Sequence, residues 1–369
     1  MKKYLVIGVA IVVGLGLLAI VMERRMAEPS GAVAYRGDAA HRGVFAGAGP
    51  GGVRQPRWSF QTGYAIVGSA VAASDTVYVG SMDRKLYALD AVTGEKRWDV
   101  AVGGSIYGAP ALGGDLVIVA DGGGGVTAVA AASGVPVWKF AAGTEVRATP
   151  LVYDGLVYFG GMDGKLRALS ARDGRLKWQV ELGEPLEGTV SKAQDVLYVA
   201  SSRGGLFALG MSGQLKWTFR MGGGTVATPA VHEGVVYLGG RDRKFYAVDA
   251  ASGQLKWVFP AGNEVASSAA VTSAAVLFGC DDSRIYALNP ATGALLWSQP
   301  TRGMVNGSPA VAGEAVYYGS RDGFLYAAAL KTGNPLGQFQ AGGWVRSAPT
   351  IVGSRLYVGA DDGRLYAFD

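Results

Sequence analysis

Seven tryptophans set a stride that few folds can satisfy. Trp58, Trp98, Trp138, Trp178, Trp217, Trp257 and Trp297 follow one another at intervals of 40, 40, 40, 39, 40 and 40 residues. The short interval has a local cause, because Gly210-Met211-Ser212-Gly213 is one residue shorter than its counterparts. From Trp98 onward each indole closes the same unit: a short apolar strand, a turn, and a second strand, as in Ala88-Leu89-Asp90-Ala91-Val92-Thr93-Gly94-Glu95-Lys96-Arg97-Trp98. A period near forty built from short strands predicts β-propeller blades rather than a helical solenoid.

Each unit carries four strand signals. In the first they fall at 66–72, 76–80, 85–90 and 96–102, short runs separated by glycine-bearing turns. Eight units follow one another, centred on Tyr87, Thr127, Arg167, Phe207, Tyr246, Tyr286, Tyr326 and Tyr366. The eighth stops at Asp369, after its third strand, and the missing fourth stands at the other end as Arg57-Trp58-Ser59-Phe60. The phase therefore predicts an all-β, eight-bladed propeller of four-stranded blades, with residues 56–61 completing the last blade. Such closure reduces the number of exposed sheet edges. The domain reading is a helix at 1–22, a flexible linker at 23–54 and a propeller at 55–369.

The seven indoles are expected to be structural. Each of five of them is followed two residues later by an apolar side chain (Val100, Phe140, Val180, Phe219, Phe259), so strand alternation turns both toward the neighbouring blade. Burying one indole removes ~150–250 Å² from water, an upper bound of roughly 4–6 kcal/mol. The seventh unit keeps Thr332-Gly333 but has Gly337 at the tryptophan position. Leu336 and its neighbours are expected to fill that gap; a small cleft is the alternative.

An acidic turn recurs between the second and third strands, as in Met82-Asp83-Arg84, Met162-Asp163-Gly164, Arg241-Asp242-Arg243 and Asp281-Asp282-Ser283. A two-residue hairpin with both central residues at positive φ accounts for it without a ring of metal-binding aspartates. Cys280 is the only cysteine and His41 and His232 the only histidines, which excludes an internal disulfide and leaves no cysteine-rich or histidine-rich metal site. The net charge of +5 is not a nucleic-acid signature. Residues 1–57 hold eight of the 34 Lys/Arg and three of the 29 Asp/Glu, leaving 26 of each sign in the repeats.

Lys2 and Lys3 precede nineteen uncharged residues, Tyr4 to Met22, followed by Glu23-Arg24-Arg25. That length can just cross a bilayer as a helix and exceeds the usual signal-peptide core. An uncleaved anchor is expected, with the propeller in the periplasm or on the outer side; cleavage near Ala32-Val33-Ala34 would give a secreted or periplasmic protein. Within the linker, the Arg-Gly-Asp of Tyr35-Arg36-Gly37-Asp38 reads as a plain turn rather than an adhesion signal.

The inner strand of each blade leads in from a loop on one face. Three residues before Pro110, Pro150, Val190, Pro309 and Pro349 stand Tyr107, Arg147, Glu187, Asn306 and Arg346. Five residues before Pro150, Ala269 and Pro349 stand Glu145, Glu264 and Trp344. Alternation puts both sets on one side, predicting a mixed-charge funnel at one mouth of the channel. Arg147 is expected to offset Glu187, and Arg346 to offset Glu264. As a docking surface the funnel would use Arg147, Arg346, Tyr107 and Trp344 as anchors. No catalytic set is legible in the spacing.

The unit Ala-x-Asp-x-x-Thr-Gly-x-x-x-Trp, fullest at Ala88, Asp90, Thr93, Gly94 and Trp98, resembles the tryptophan-docking motif of the PQQ-like repeat family. The lead-in Arg36-Gly37-Asp38 and His41-Arg42-Gly43 resembles the opening of many of its members. The resemblance covers about 35–369 and implies an eight-bladed propeller. Its quinoprotein members bind PQQ and calcium, commonly beside a disulfide of adjacent cysteines; this chain has no such pair, so neither cofactor nor metal is expected. In having little beyond the blades it is more similar to BamB-type propellers, although it lacks the lipobox cysteine of a lipoprotein. The resemblance implies a non-catalytic, monomeric scaffold for protein partners in the cell envelope. A PQQ-dependent oxidoreductase and a ligand-sensing propeller are the alternatives.

Overall fold

The computed structural model describes residues 34–369, and the expected membrane helix lies outside them. Eight sheets are present among the described residues. In blade 1 the strands run outward as Val71–Ala73, Thr76–Gly80, Lys85–Asp90 and Lys96–Ala101, all antiparallel. The first three are almost wholly buried and the outermost is largely exposed. Blades 2–7 repeat this order.

Blade 8 is assembled from both ends of the chain. Its outer strand is Trp58–Gln61, paired antiparallel with Arg364–Phe368 through Trp58↔Ala367 and Phe60↔Leu365. The ring thus closes as the sequence phase predicts.

The core consists of apolar layers between neighbouring blades. One joins Leu86 and Ala88 of blade 1 to Val117, Val119 and Val129 of blade 2, with Trp98 and Val100 packed on it. Among the described residues, six of these layers are stitched by an indole hydrogen bond. Trp98 Nε1 donates to Ala131 O at 3.0 Å, Trp138 to Ala171 O at 2.9 Å and Trp257 to Pro290 O at 2.9 Å, always 33 residues ahead. The same Ala131 carbonyl also accepts the Tyr78 hydroxyl at 3.2 Å, using its second lone pair. The face of the Trp98 ring covers Gly134, where a β-carbon would stand 2.6 Å from the ring and where φ is +72°. Contact and backbone both demand glycine there, which explains why glycine holds this place in all seven such turns while the residue before it varies between Thr, Ser and Asp.

Two further belts bind the blades. Near the channel, the Ala109 amide donates to Thr149 Oγ1 at 2.8 Å, and Ser268 N to Ser308 Oγ at 2.9 Å. At the acidic turns, Asp83 accepts from Tyr87 O–H at 2.6 Å and from the Gly63 amide at 2.7 Å, tying blade 1 to blade 8. Asp322 and Asp362 repeat that pair of bonds. The turn itself differs from the expected two-residue hairpin. Only its last residue takes positive φ (Arg84, Gly164, Arg243, Ser283), a three-residue loop whose final residue is left-handed. The aspartate carboxylate caps the turn from within, bonding the Lys85 amide at 3.0 Å.

Residues 34–53 were expected to be the end of a flexible linker, and they are held against the propeller instead. The segment lies along the inner strands: Lys192 N donates to Ala39 O, Val231 N to Ala40 O, Val271 N to Arg42 O and Val311 N to Gly43 O, at 2.7–2.9 Å. Val44–Phe45 adds a parallel fifth strand to blade 7. The inner strands present unpaired amides to the channel, and a chain of any small-residue composition can satisfy them, which composition alone did not signal.

The gap at Gly337 is also filled differently from either expectation. Leu336 is 39% exposed, and the fully buried Val53 lies against Gly337. The reason is topological. Every indole of the series docks on the glycine of the turn joining the third and fourth strands of the next blade, and blade 8 takes those strands from opposite ends of the chain. An indole at 337 would have no turn to cover, and the incoming N-terminal segment takes its place.

Candidate functional site: a one-ended funnel

A cavity of about 540 Å³ occupies the channel, within the ~300–1,000 Å³ usual for ligand sites. The position three residues before each inner-strand Pro or its equivalent lines it in every blade. Tyr107, Arg147, Glu187, Ala266, Asn306 and Arg346 lie there as the phase predicts, with Val67 and Val226 completing the circle. Of the second predicted set only Glu264 reaches the lining. Glu145 stands behind Arg147, and Trp344 lies at the mouth, 46% exposed.

The charges pair differently from the expectation in one case. Arg147 bonds Glu145 at 3.0 Å and Glu187 at 3.4 Å, and the Glu145 carboxylate holds its guanidinium above the ordinary range. Arg346 does not reach Glu264; it takes Asp361 bidentately at 2.9 and 3.0 Å, while Glu264 lies 3.9 Å from Arg241. Tyr107 receives Arg147 over its ring at 5.7 Å.

Sequence reasoning missed Arg241, Asp281 and Arg321, which also line the cavity. They open three of the acidic turns, and their amides donate to the lead-in loops, Arg321 N to Met304 O at 2.9 Å and Asp281 N to Glu264 O at 3.0 Å. The signal was present: in the six turns that carry the aspartate, the residue before it varies between Met, Arg and Asp. Asn306 Nδ2 donates to Asp281, whose carboxyl is raised by burial. Arg321 lies over the Trp344 ring at 5.1 Å, and Arg346 over the same ring at 5.8 Å.

The far end of the channel is closed by the chain itself. Tyr35 lines both the large cavity and a second one of about 40 Å³ behind it, and so forms the partition. His41 secures this floor, with Nδ1 3.0 Å from Tyr35 O and Nε2 3.0 Å from Val190 O. Arg36 of the Arg-Gly-Asp turn is 2% exposed and donates to Ala269 O and His41 O, so its side chain is a structural clamp. Cys280 is buried and its thiol is pushed up to about 12 by that burial.

A family model described as outer membrane protein assembly factor BamB matches residues 26–191, 178–304 and 281–369. The chain belongs to the BamB family. Among solved structures, this BamB-family propeller is similar to BamB from Moraxella catarrhalis, at 19% identity and TM-score 0.72, covering 85% of this chain and 99% of that one. It is similar in fold to quinohemoprotein alcohol dehydrogenase from Comamonas testosteroni, at 15% identity and TM-score 0.80, over 93% and 81% of the two chains. The computationally designed Ika8 protein matches at 18% identity and TM-score 0.75, over 84% and 97%. No curated protein matches the sequence.

The quinoprotein likeness raises the question of a quinone and its metal. The carboxylates of the cavity do not suit a metal, since Glu187 faces Arg147, Glu264 faces Arg241 and Asp281 accepts from Asn306. Among the described residues no three His, Cys, Asp or Glu side chains converge.

Proposed function

We propose that this BamB-family propeller is a non-catalytic, membrane-tethered scaffold of the cell envelope that docks a protein partner in its funnel. The observation carrying this reading is that one ring position of all eight blades converges on a cavity whose opposite end is sealed by the chain's own N-terminal segment. A rigid cup with aromatic and arginine groups at its lip suits capture of a protruding segment.

The test is photo-crosslinking in cells. A photoreactive residue at Met304, 38% exposed at the mouth, should capture a discrete partner, and one at Leu215, 53% exposed on the outer strand of blade 4, should not. Equal capture from both positions, or none from Met304, would remove the funnel from the account. The quinoprotein reading predicts instead that PQQ with Ca²⁺ binds with a cofactor absorbance band and supports dye reduction; neither is expected here.

A further inference from the structure

We propose that the funnel captures the C-terminal end of a polypeptide, holding the terminal carboxylate on Arg321 and the last backbone N–H on Asn306. This deepens the docking reading and rests on it.

Three observations converge. The first is a guanidinium that acts on the Asp281 carboxylate through space but is not hydrogen-bonded by it. Of the four arginines lining the cavity, Arg147, Arg241 and Arg346 each have a carboxylate within ion-pair distance. Arg321 forms no ion pair or side-chain hydrogen bond among the described residues; its contact is the Trp344 ring, and its Nε is buried without an acceptor. A guanidinium so placed favours a carboxylate, to which Nε and a terminal nitrogen donate side by side.

The second is an acceptor without a donor. Asn306 commits its Nδ2 to Asp281, which leaves Oδ1 facing away from that carboxylate, buried and unpartnered. A free inorganic anion has no N–H to offer this oxygen, and an internal Asp or Glu holds its carboxylate one or two bonds further from its own N–H than a chain end does. A chain end carries both groups on one residue, the carboxylate and the amide N–H that precedes it. Asp281 sets a limit of its own, since its negative charge disfavours a ligand bearing several carboxylates at this wall.

The third is shape. A channel open at both ends would admit a threaded loop, whereas the partition at Tyr35 lets a strand enter only end-first or as a tight tip. Trp344 at the lip offers an apolar face for the terminal side chain.

The experiment uses the full-length chain in detergent micelles and fluorescein-labelled hexapeptides of sequence Gly-Ser-Gly-Ser-Ala-Phe, followed by anisotropy. The free acid should bind at least tenfold more tightly than the C-terminal amide, and Arg321→Gln should abolish that difference while the melting temperature holds. An amidated peptide with one internal glutamate should bind no better than the amide. Equal binding of acid and amide, including no binding of either, overturns the proposal. So does binding of the internal-glutamate peptide as tight as the acid, or an undiminished preference in Arg321→Gln. Crosslinking at Met304 that persists alongside such a result leaves the docking reading standing and removes only the chain end.

Discussion

Gly337 and Val53 are in contact: a β-carbon on Gly337 would stand 2.7 Å from the Val53 carbonyl oxygen and 3.0 Å from its amide nitrogen. The residue missing from the indole series is therefore the point where the N-terminal segment crosses between blades 7 and 8. Gly337→Trp restores the repeat consensus, and it should nevertheless destabilise by about 1–3 kcal/mol because it overpacks an occupied seam. Urea denaturation measures this; an unchanged midpoint would mean that Val53 is not seated there.

The two classes of tryptophan should separate cleanly. Trp138 is 9% exposed and bonded to Ala171 O, so Trp138→Ala should cost about 3–5 kcal/mol. Trp344 sits at the mouth, and Trp344→Ala should stay within about 0.5 kcal/mol. Melting temperatures of the two variants compare them directly.

A left-handed residue offers the opposite sign. Arg243 holds φ at +63° in an exposed acidic turn, and its carbonyl, not its side chain, bonds Ala261 N. Arg243→Gly should stabilise by about 1 kcal/mol, since the backbone bond is kept and the steric cost of that region is removed. A lower denaturation midpoint would contradict the turn geometry.

Much of this molecule was legible because repetition amplifies weak signals. One tryptophan says little; seven at a fixed stride specify the blade, and the phase of Trp58 against Asp369 specifies the closure. The funnel ring was legible for the same reason, since a residue's place relative to the inner-strand Pro fixes its face. What stayed hidden does not repeat. Residues 34–53 have no counterpart elsewhere in the chain, and their bonds to Lys192, Val231, Val271 and Val311 are backbone bonds that leave no side-chain signature. The choice of Asp361 over Glu264 by Arg346 depends on a rotamer, and spacing carries no rotamer.

His41 makes the floor of the funnel sensitive to acid. Burial pushes its imidazole down to about 4, outweighing the Tyr35 and Val190 carbonyls that favour the protonated ring. Between pH 6.5 and 4 the folded state therefore binds fewer protons than the unfolded chain. This contribution is full above pH 6.5 and is lost as pH falls toward 4, on the order of 3 kcal/mol in total. Limited proteolysis within 34–53 should accelerate over that window, and His41→Gln should flatten the profile.

The central claim is that the chain's own N-terminal segment seals one end of the channel. Hydrogen exchange read by mass spectrometry tests it most directly, at the inner-strand amides of Val231, Val271 and Val311. The account predicts strong protection of these amides in the full chain and exchange faster by tenfold or more once residues 1–43 are removed. Equal exchange in the two proteins would show that the segment does not lie on those strands, and the funnel would then be open at both ends.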